Sequence, residues 1–198
     1  LVCFLLLAAG YAGGANAGQP EAQGSAGLAR AVIAEINRAR TDPQTYASSL
    51  EALRPYFQAN RMLKFPGEPA VRTQEGVRAL DDAILTLRRT APVPALVESS
   101  TLEVVAQILA DDQTRVVPTQ RMARYGTELN RTGENVSYGP RSAQRIVAML
   151  LIDDGVVNRA HRRNILDENF YVAAASIGNH PVLGTVCVID FASAMAAP

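Results

Sequence analysis

An α+β domain is what the sequence predicts, and three observations point to it. Apolar residues recur at helical spacing in successive segments up to residue 152. Two β-rich runs close the chain, "FYVAAASIG" and "GTVCVIDFA", on either side of "NHPVL". Helices first and strands late are the order of an α+β or α/β/α layered domain. The chain has 198 residues, enough to bury a core, and residues 27–194 are the expected folded unit.

The first helix is expected in "GLARAVIAEINRAR", where Leu28, Val32, Ile36 and Ala39 share a face. A second follows in "TDPQTYASSLEALRPYF". Asp42 suits its cap, Pro43 its first position, and Pro55 its end. Residues 58–72 hold two prolines and a glycine and read as a loop. A third helix fits "TQEGVRALDDAILTLRR", capped by Thr73, with Val77, Leu80, Ile84 and Leu87 as its buried stripe. The fourth begins at Ser100, where Ser100 and Glu103 have capping-box spacing, and buries Leu102, Val105, Ala106 and Leu109. Three glycines punctuate residues 121–139, which show no strong period. The fifth helix spans about 142–152 and ends at "DDG". The two final β-rich runs read as an antiparallel hairpin.

The N-terminus reads as a leader rather than fold. An apolar run, Leu1 to Ala9, precedes Ala15-Asn16-Ala17, an A-x-A cleavage pattern. No initiator Met or basic n-region precedes it, so residues 1–17 are expected to be a partial secretory signal, followed by a flexible linker at 18–26. The run is shorter than the roughly 20 residues of a bilayer span. The expected mature chain is therefore secreted, extracellular or periplasmic, with no transmembrane span. Cys3 would leave with the signal, and Cys187 alone cannot form an intramolecular disulfide. Its alternating context reads as a buried strand position. Lys plus Arg equals Asp plus Glu at 19 each, so no basic excess argues for nucleic acid.

Chemistry could sit in two places. Glu134, in "GENVSYG", suits a general base, a metal ligand or a structural acceptor. In "IDDGVVNRAHRRNIL", Asp153 and Asp154 stand where negative charge opposes the end of a helix dipole. Arg159, His161, Arg162 and Arg163 are the local partners that could offset them. The stretch is either an ion-paired turn or an acid–histidine site. His180 reads as an exposed turn residue.

"GENVSYG", a helix, "LLIDDGVVNRAHRRNIL" and "GTVCVIDFA", in that order, resemble the CAP superfamily of cysteine-rich secretory, antigen-5 and pathogenesis-related proteins. The similarity is to its bacterial secreted branch, and "INRARTDPQTYASSLE" fits that branch's first helix. The resemblance implies a three-layer α-β-α sandwich with a small antiparallel sheet. It also implies a cleft with two histidines and two acids able to hold a divalent metal ion. By matched position those are Glu134, His161 and Asp154, with Asp153 as the alternative acid; Asn135, Arg162 and Asn164 fall in the same cleft. Catalytic and metal-binding roles, if present, would fall to Glu134, Asp154 and His161. The family's first histidine has no counterpart in "DDQTRVVPTQRMARYG", and Ala160 replaces the usual glycine. The expected function is a secreted, non-catalytic binding module for a lipid, sterol or other small apolar ligand, with a degenerate metal cleft. A metal-assisted hydrolase and an envelope-associated interaction protein are the alternatives.

Overall fold

The structure, a computed structural model, describes residues 24–112 and 131–193. The expected leader, most of the linker, and nearly all of the histidine-free stretch after the fourth helix lie outside the described residues. The elements run α1 (Ser25–Thr41), α2 (Pro43–Glu51), β1 (Phe57–Gln58), β2 (Met62–Leu63), β3 (Val71–Arg72), α3 (Val77–Arg89), β4 (Val97–Glu98), α4 (Ser100–Asp112), β5 (Thr132–Tyr138), α5 (Ala143–Ile152), α6 (Ala160–Leu166), β6 (Val172–His180) and β7 (Gly184–Ala192). No described helix is long and apolar enough to cross a membrane.

The main sheet has the order β4-β6-β7-β5. β6, β7 and β5 pair antiparallel, as the hairpin expectation required for β6 and β7. β4 joins β6 in parallel, so the sheet is mixed. Alternation along the strands divides its two faces. Ala173, Ala175, Cys187, Ile189 and Phe191 pack with α1, α3 and α5 in the large core. Ala174, Val186, Val188 and Ala192 pack instead on Leu102, Val105, Ala106 and Ala110 of α4. Helices therefore cover both faces, which makes the layers α, β and α.

Local chemistry explains the ends. The Asp42 carboxylate accepts from the Thr45 amide at 3.1 Å, and Pro43 opens α2. Ser142 caps α5. Two expected caps shift. Ser99, not Ser100, caps α4 by accepting from the Leu102 amide. Thr73 does not cap α3; its hydroxyl donates to the Arg61 carbonyl, and Gly76 at φ +69° leads into the helix. Val77 is consequently 38% exposed, whereas Leu80, Ile84 and Leu87 are buried as expected. The stretch expected to be a loop at 58–72 contains part of a small antiparallel sheet, β1-β2-β3. Its strands are two residues long, too short for any hydrophobic period to register. The punctuated "TGENVSY" is a full strand, β5.

Arg40, at the end of α1, is fully buried and ties three regions together. Its guanidinium donates to the carbonyls of Pro94, Ile165, Asp167 and Phe170 at 2.7–3.0 Å. Burial lowers its pKa, with the Asp167 charge opposing. Four acceptors around one side chain suit the guanidinium fork and not the point charge of a lysine. Arg40→Met should destabilise the fold by about 3 kcal/mol, because four carbonyls, those of Ile165 and Phe170 buried, lose their donor. Arg40→Lys should recover only part of that. Urea midpoints measure both; an unchanged midpoint for Arg40→Met would show the bonds to be dispensable.

Candidate functional site

The turn after α5 joins three helix ends. Asp153 closes α5 in a left-handed conformation, φ 55° and ψ 43°. Its carboxylate is buried and turns toward α6. One oxygen lies 2.6 Å from His161 Nδ1; the other accepts from the backbone amides of His161 and Arg162 at 2.9 and 3.2 Å. An anion thus sits against the exposed amides at the start of α6, where a helix favours negative charge. Arg162 reaches back, donating to the carbonyls of Leu151 and Ile152 at the end of α5. A cation at that end is equally favoured.

Asp154 faces elsewhere. Its carboxylate accepts from the consecutive amides of Gln74, Glu75 and Gly76 at 2.6, 2.8 and 3.1 Å, anchoring the entry to α3. Of the adjacent aspartates, it is therefore Asp153 that contacts His161, and the placement favouring Asp154 is corrected. Of the local partners expected for the two carboxylates, His161 contacts Asp153, and the arginines do not pair with either side chain. Backbone amides and the imidazole hold the carboxylates, while Arg159 and Arg162 pair with Glu75 and Asp82.

The "GEN" tripeptide is divided by the strand. Asn135 is buried on the α6 side, donating to the His161 carbonyl at 3.0 Å and accepting from Asn164 Nδ2 at 2.9 Å. Asn164 also donates to the Glu134 carbonyl. A Cβ at Gly133 would stand 3.0 Å from Asn164 Cγ and from Phe170 Cζ, so glycine permits this close approach. Glu134 alternates to the other face, the side on which Val136 and Tyr138 pack against α4. There it stands opposite Asp190 of β7.

Glu134, Asp154 and His161 accordingly do not converge. Glu134 occupies the α4 face of the sheet, Asp154 anchors α3, and His161 holds Asp153 on the α6 side. Among the described residues no group of three or more His, Cys, Asp and Glu side chains is placed to hold a metal ion. The trio expected to bind a divalent ion does not fit one. Asp153 Oδ and His161 Nδ1 alone form an acid–histidine pair, with the histidine side chain 18% exposed.

Other expectations resolve simply. Cys187 is buried, and burial pushes its thiol up to about 12, which leaves no thiolate at neutral pH. His180 is half-buried rather than exposed. It ends β6, stacks edge-on against Tyr138, and accepts at Nδ1 from the amides of Val182 and Leu183. Two cavities are described. One, of about 310 Å³, lies beside Arg30, Glu98 and Glu103. The other, of about 530 Å³, lies between α3 and α6. Charged side chains border both, so neither is an apolar groove.

Sequence reasoning missed Glu75 and Asp82. Arg159 holds Glu75 in a two-pronged ion pair at 2.6 and 2.7 Å, and Gly155 adds an amide at 2.8 Å. Asp82 takes both Arg159 and Arg162. Partners 77–84 residues apart leave no local signal. The Arg159 bonds, with the Gly155 amide, hold Glu75 at about 2 rather than 4.5, against the opposing effect of burial. A folded-state pKa below the unfolded one gives stability that is present above pH 4.5 and is lost as pH falls toward 2. Glu75→Gln should therefore be less stable than wild type at pH 7, and the gap should close on acidification. Urea midpoints from pH 7 to 2.5 test this; a gap independent of pH would remove Glu75 from the account.

No curated protein matches the chain. An extracellular protein containing an SCP domain from Bacillus anthracis str. Ames is similar in structure, at 18% identity and TM-score 0.40, over 59% of this chain and 39% of that one. A cysteine-rich secretory protein from Staphylococcus aureus subsp. aureus Mu50 is similar at 10% identity and TM-score 0.42, over 65% of this chain and 43% of that one. The chain thus spans less than half the length of either, and neither likeness carries the argument. The sequence profile of the CAP family does. It matches residues 82–191, more than half of the chain, from α3 to β7, and takes in every candidate residue above. The chain belongs to the CAP, cysteine-rich secretory protein, family.

Proposed function

We propose that this CAP domain is an extracellular, non-catalytic binding module, in which the Asp153–His161 pair is part of the framework. The observation that carries the reading is the use of the Asp153 carboxylate. Both oxygens are engaged, by two backbone amides and an imidazole nitrogen, in a position without solvent access. A general base needs a lone pair within reach of substrate. Here one oxygen serves the start of α6 and the other the imidazole. Of the other candidate acids, Glu134 belongs to the opposite face of the sheet and Asp154 accepts from three amides before α3. Secretion is supported by the family's description. The lipid or sterol class that the resemblance implies draws no support from the described cavities, which charged side chains border.

Two measurements test the reading. In a thermal-shift titration with Zn²⁺, Mg²⁺, Ca²⁺ and Mn²⁺, the wild type should show no saturable rise in Tm. A ligand that binds only the folded state must raise it. A rise lost in both His161→Ala and Glu134→Ala would sink the proposal and favour a metal-assisted hydrolase. Separately, Asp153→Ala should destabilise the fold by about 2 kcal/mol through loss of the α6 cap and burial of unpaired amides. His161→Ala should lose less, since the backbone caps survive. Activity on an ester or peptide panel that disappears in His161→Ala, with stability intact, would show that the histidine does chemistry.

A further inference from the structure

We propose that the cleft between α3 and the end of α6 is a binding site for a phosphoryl group, carried by a small soluble ligand or by a lipid headgroup. The cavity measures about 530 Å³, room for a phosphate and the group attached to it. Three arginines border it, Arg131, Arg162 and Arg163, against two carboxylates, Asp167 in the wall and Asp82 paired with Arg162 behind it, an excess of one positive charge. That local excess occurs in a chain whose formal net charge is zero. Thr86, Thr90 and Asn164 supply neutral polar wall. Guanidinium forks match the oxygens of a phosphate better than any other side chain.

The three arginines are differently held. Arg162 is buried and fixed by the α5 carbonyls and Asp82, so it forms a rigid floor. Arg131 is paired with Asp167 and lies over the Phe170 ring, its guanidinium carbon 5.7 Å from the ring centre. It is preorganised at the rim, and 56% of its side-chain surface remains exposed. Arg163 is exposed, and its guanidinium makes no ion pair among the described residues. An anion entering the cleft would meet Arg163, unpaired among the described residues, and Arg131, already positioned at the rim, above the buried Arg162. Positioned donors bind at lower entropic cost than mobile ones. His161 does not border the cavity, so this inference stands or falls apart from the function proposed above.

The test uses the whole chain and two surface variants, Arg131→Ala and Arg163→Ala, leaving Arg162 in place because it joins two helices. Inorganic phosphate is titrated against chloride at matched ionic strength, with Tm as readout. A saturable rise is expected, weakened about tenfold in apparent affinity by either variant and reduced by added salt. In a second arm, the protein is sedimented with phosphatidylcholine vesicles that contain or lack phosphatidic acid. A response to phosphate alone identifies a soluble ligand. Binding only to the phosphatidic acid vesicles, lost in the variants, identifies a headgroup. No response in either arm, or a response that both variants retain, overturns the proposal. Unchanged Tm of the variants without ligand confirms that they fold.

Discussion

Opposite charge set against the ends of helices is the constraint on which this site depends. Asp153 and Arg162 are nine residues apart and cross-cap. The acid takes the amides that open α6, and the arginine takes the carbonyls that close α5. Asp154 extends the same device to α3, eighty residues away in sequence. With α3, α5 and α6 fixed together at one turn, the orientation of His161 and the approach of Asn135 to its carbonyl follow. Backbone groups that a helix leaves unpaired must find partners when buried, and here the partners are side chains of adjacent elements.

This arrangement changes how the family's motif is understood in this chain. Each residue of "GEN" has a physical task before any chemistry is invoked. Gly133 lets Asn164 and Phe170 come close, Asn135 bonds α6, and Glu134 stands on the other side of the sheet. The carboxylate beside the histidine, which would suggest activation of a base, is also the helix cap, through its other oxygen. A carboxylate holding two amides gains stability from its charge and loses availability as a proton acceptor. Architecture and catalysis compete for the same lone pairs, and at Asp153 the amides take one oxygen and the imidazole the other.

Much of the scaffold was legible because it obeys a period. Val32 and Ile36 of α1, Leu80 and Leu87 of α3, and Ile146 and Leu150 of α5 recur at helical spacing and are buried. Cys187 and Ile189 alternate in the final hairpin and are buried on one face. Asp42 and Ser142 cap where their residue types predict. What was not legible depends on register or on distance. β5 was hidden because Glu134 interrupts alternation, and its partner strand lies more than forty residues on. Which of Asp153 and Asp154 faces His161 turns on the left-handed conformation of Asp153, one torsional choice with no signature in residue type. The arginines near the turn looked like partners for its acids. Their true partners, Glu75 and Asp82, are on another helix and its approach.

Charge at the joint also accounts for the character of the cleft beside it. Glu75 and Asp82 absorb Arg159 and Arg162, and backbone amides hold the Asp153 and Asp154 carboxylates, so each charge in the interior of the turn has a partner. Neutralisation stops at the surface of α6. Arg163 follows Arg162 on the helix but turns outward, and Arg131 enters from the start of β5 with a single carboxylate to share. A buried cation without a partner would be strongly destabilising, whereas an exposed one is tolerated by water. Excess positive charge therefore collects where solvent can reach it, which is also where a ligand can. Because Arg162 is both the floor of that cleft and the cap of α5, an anion held there would bear directly on the α5–α6 joint. The physical link between cleft and framework is one buried guanidinium.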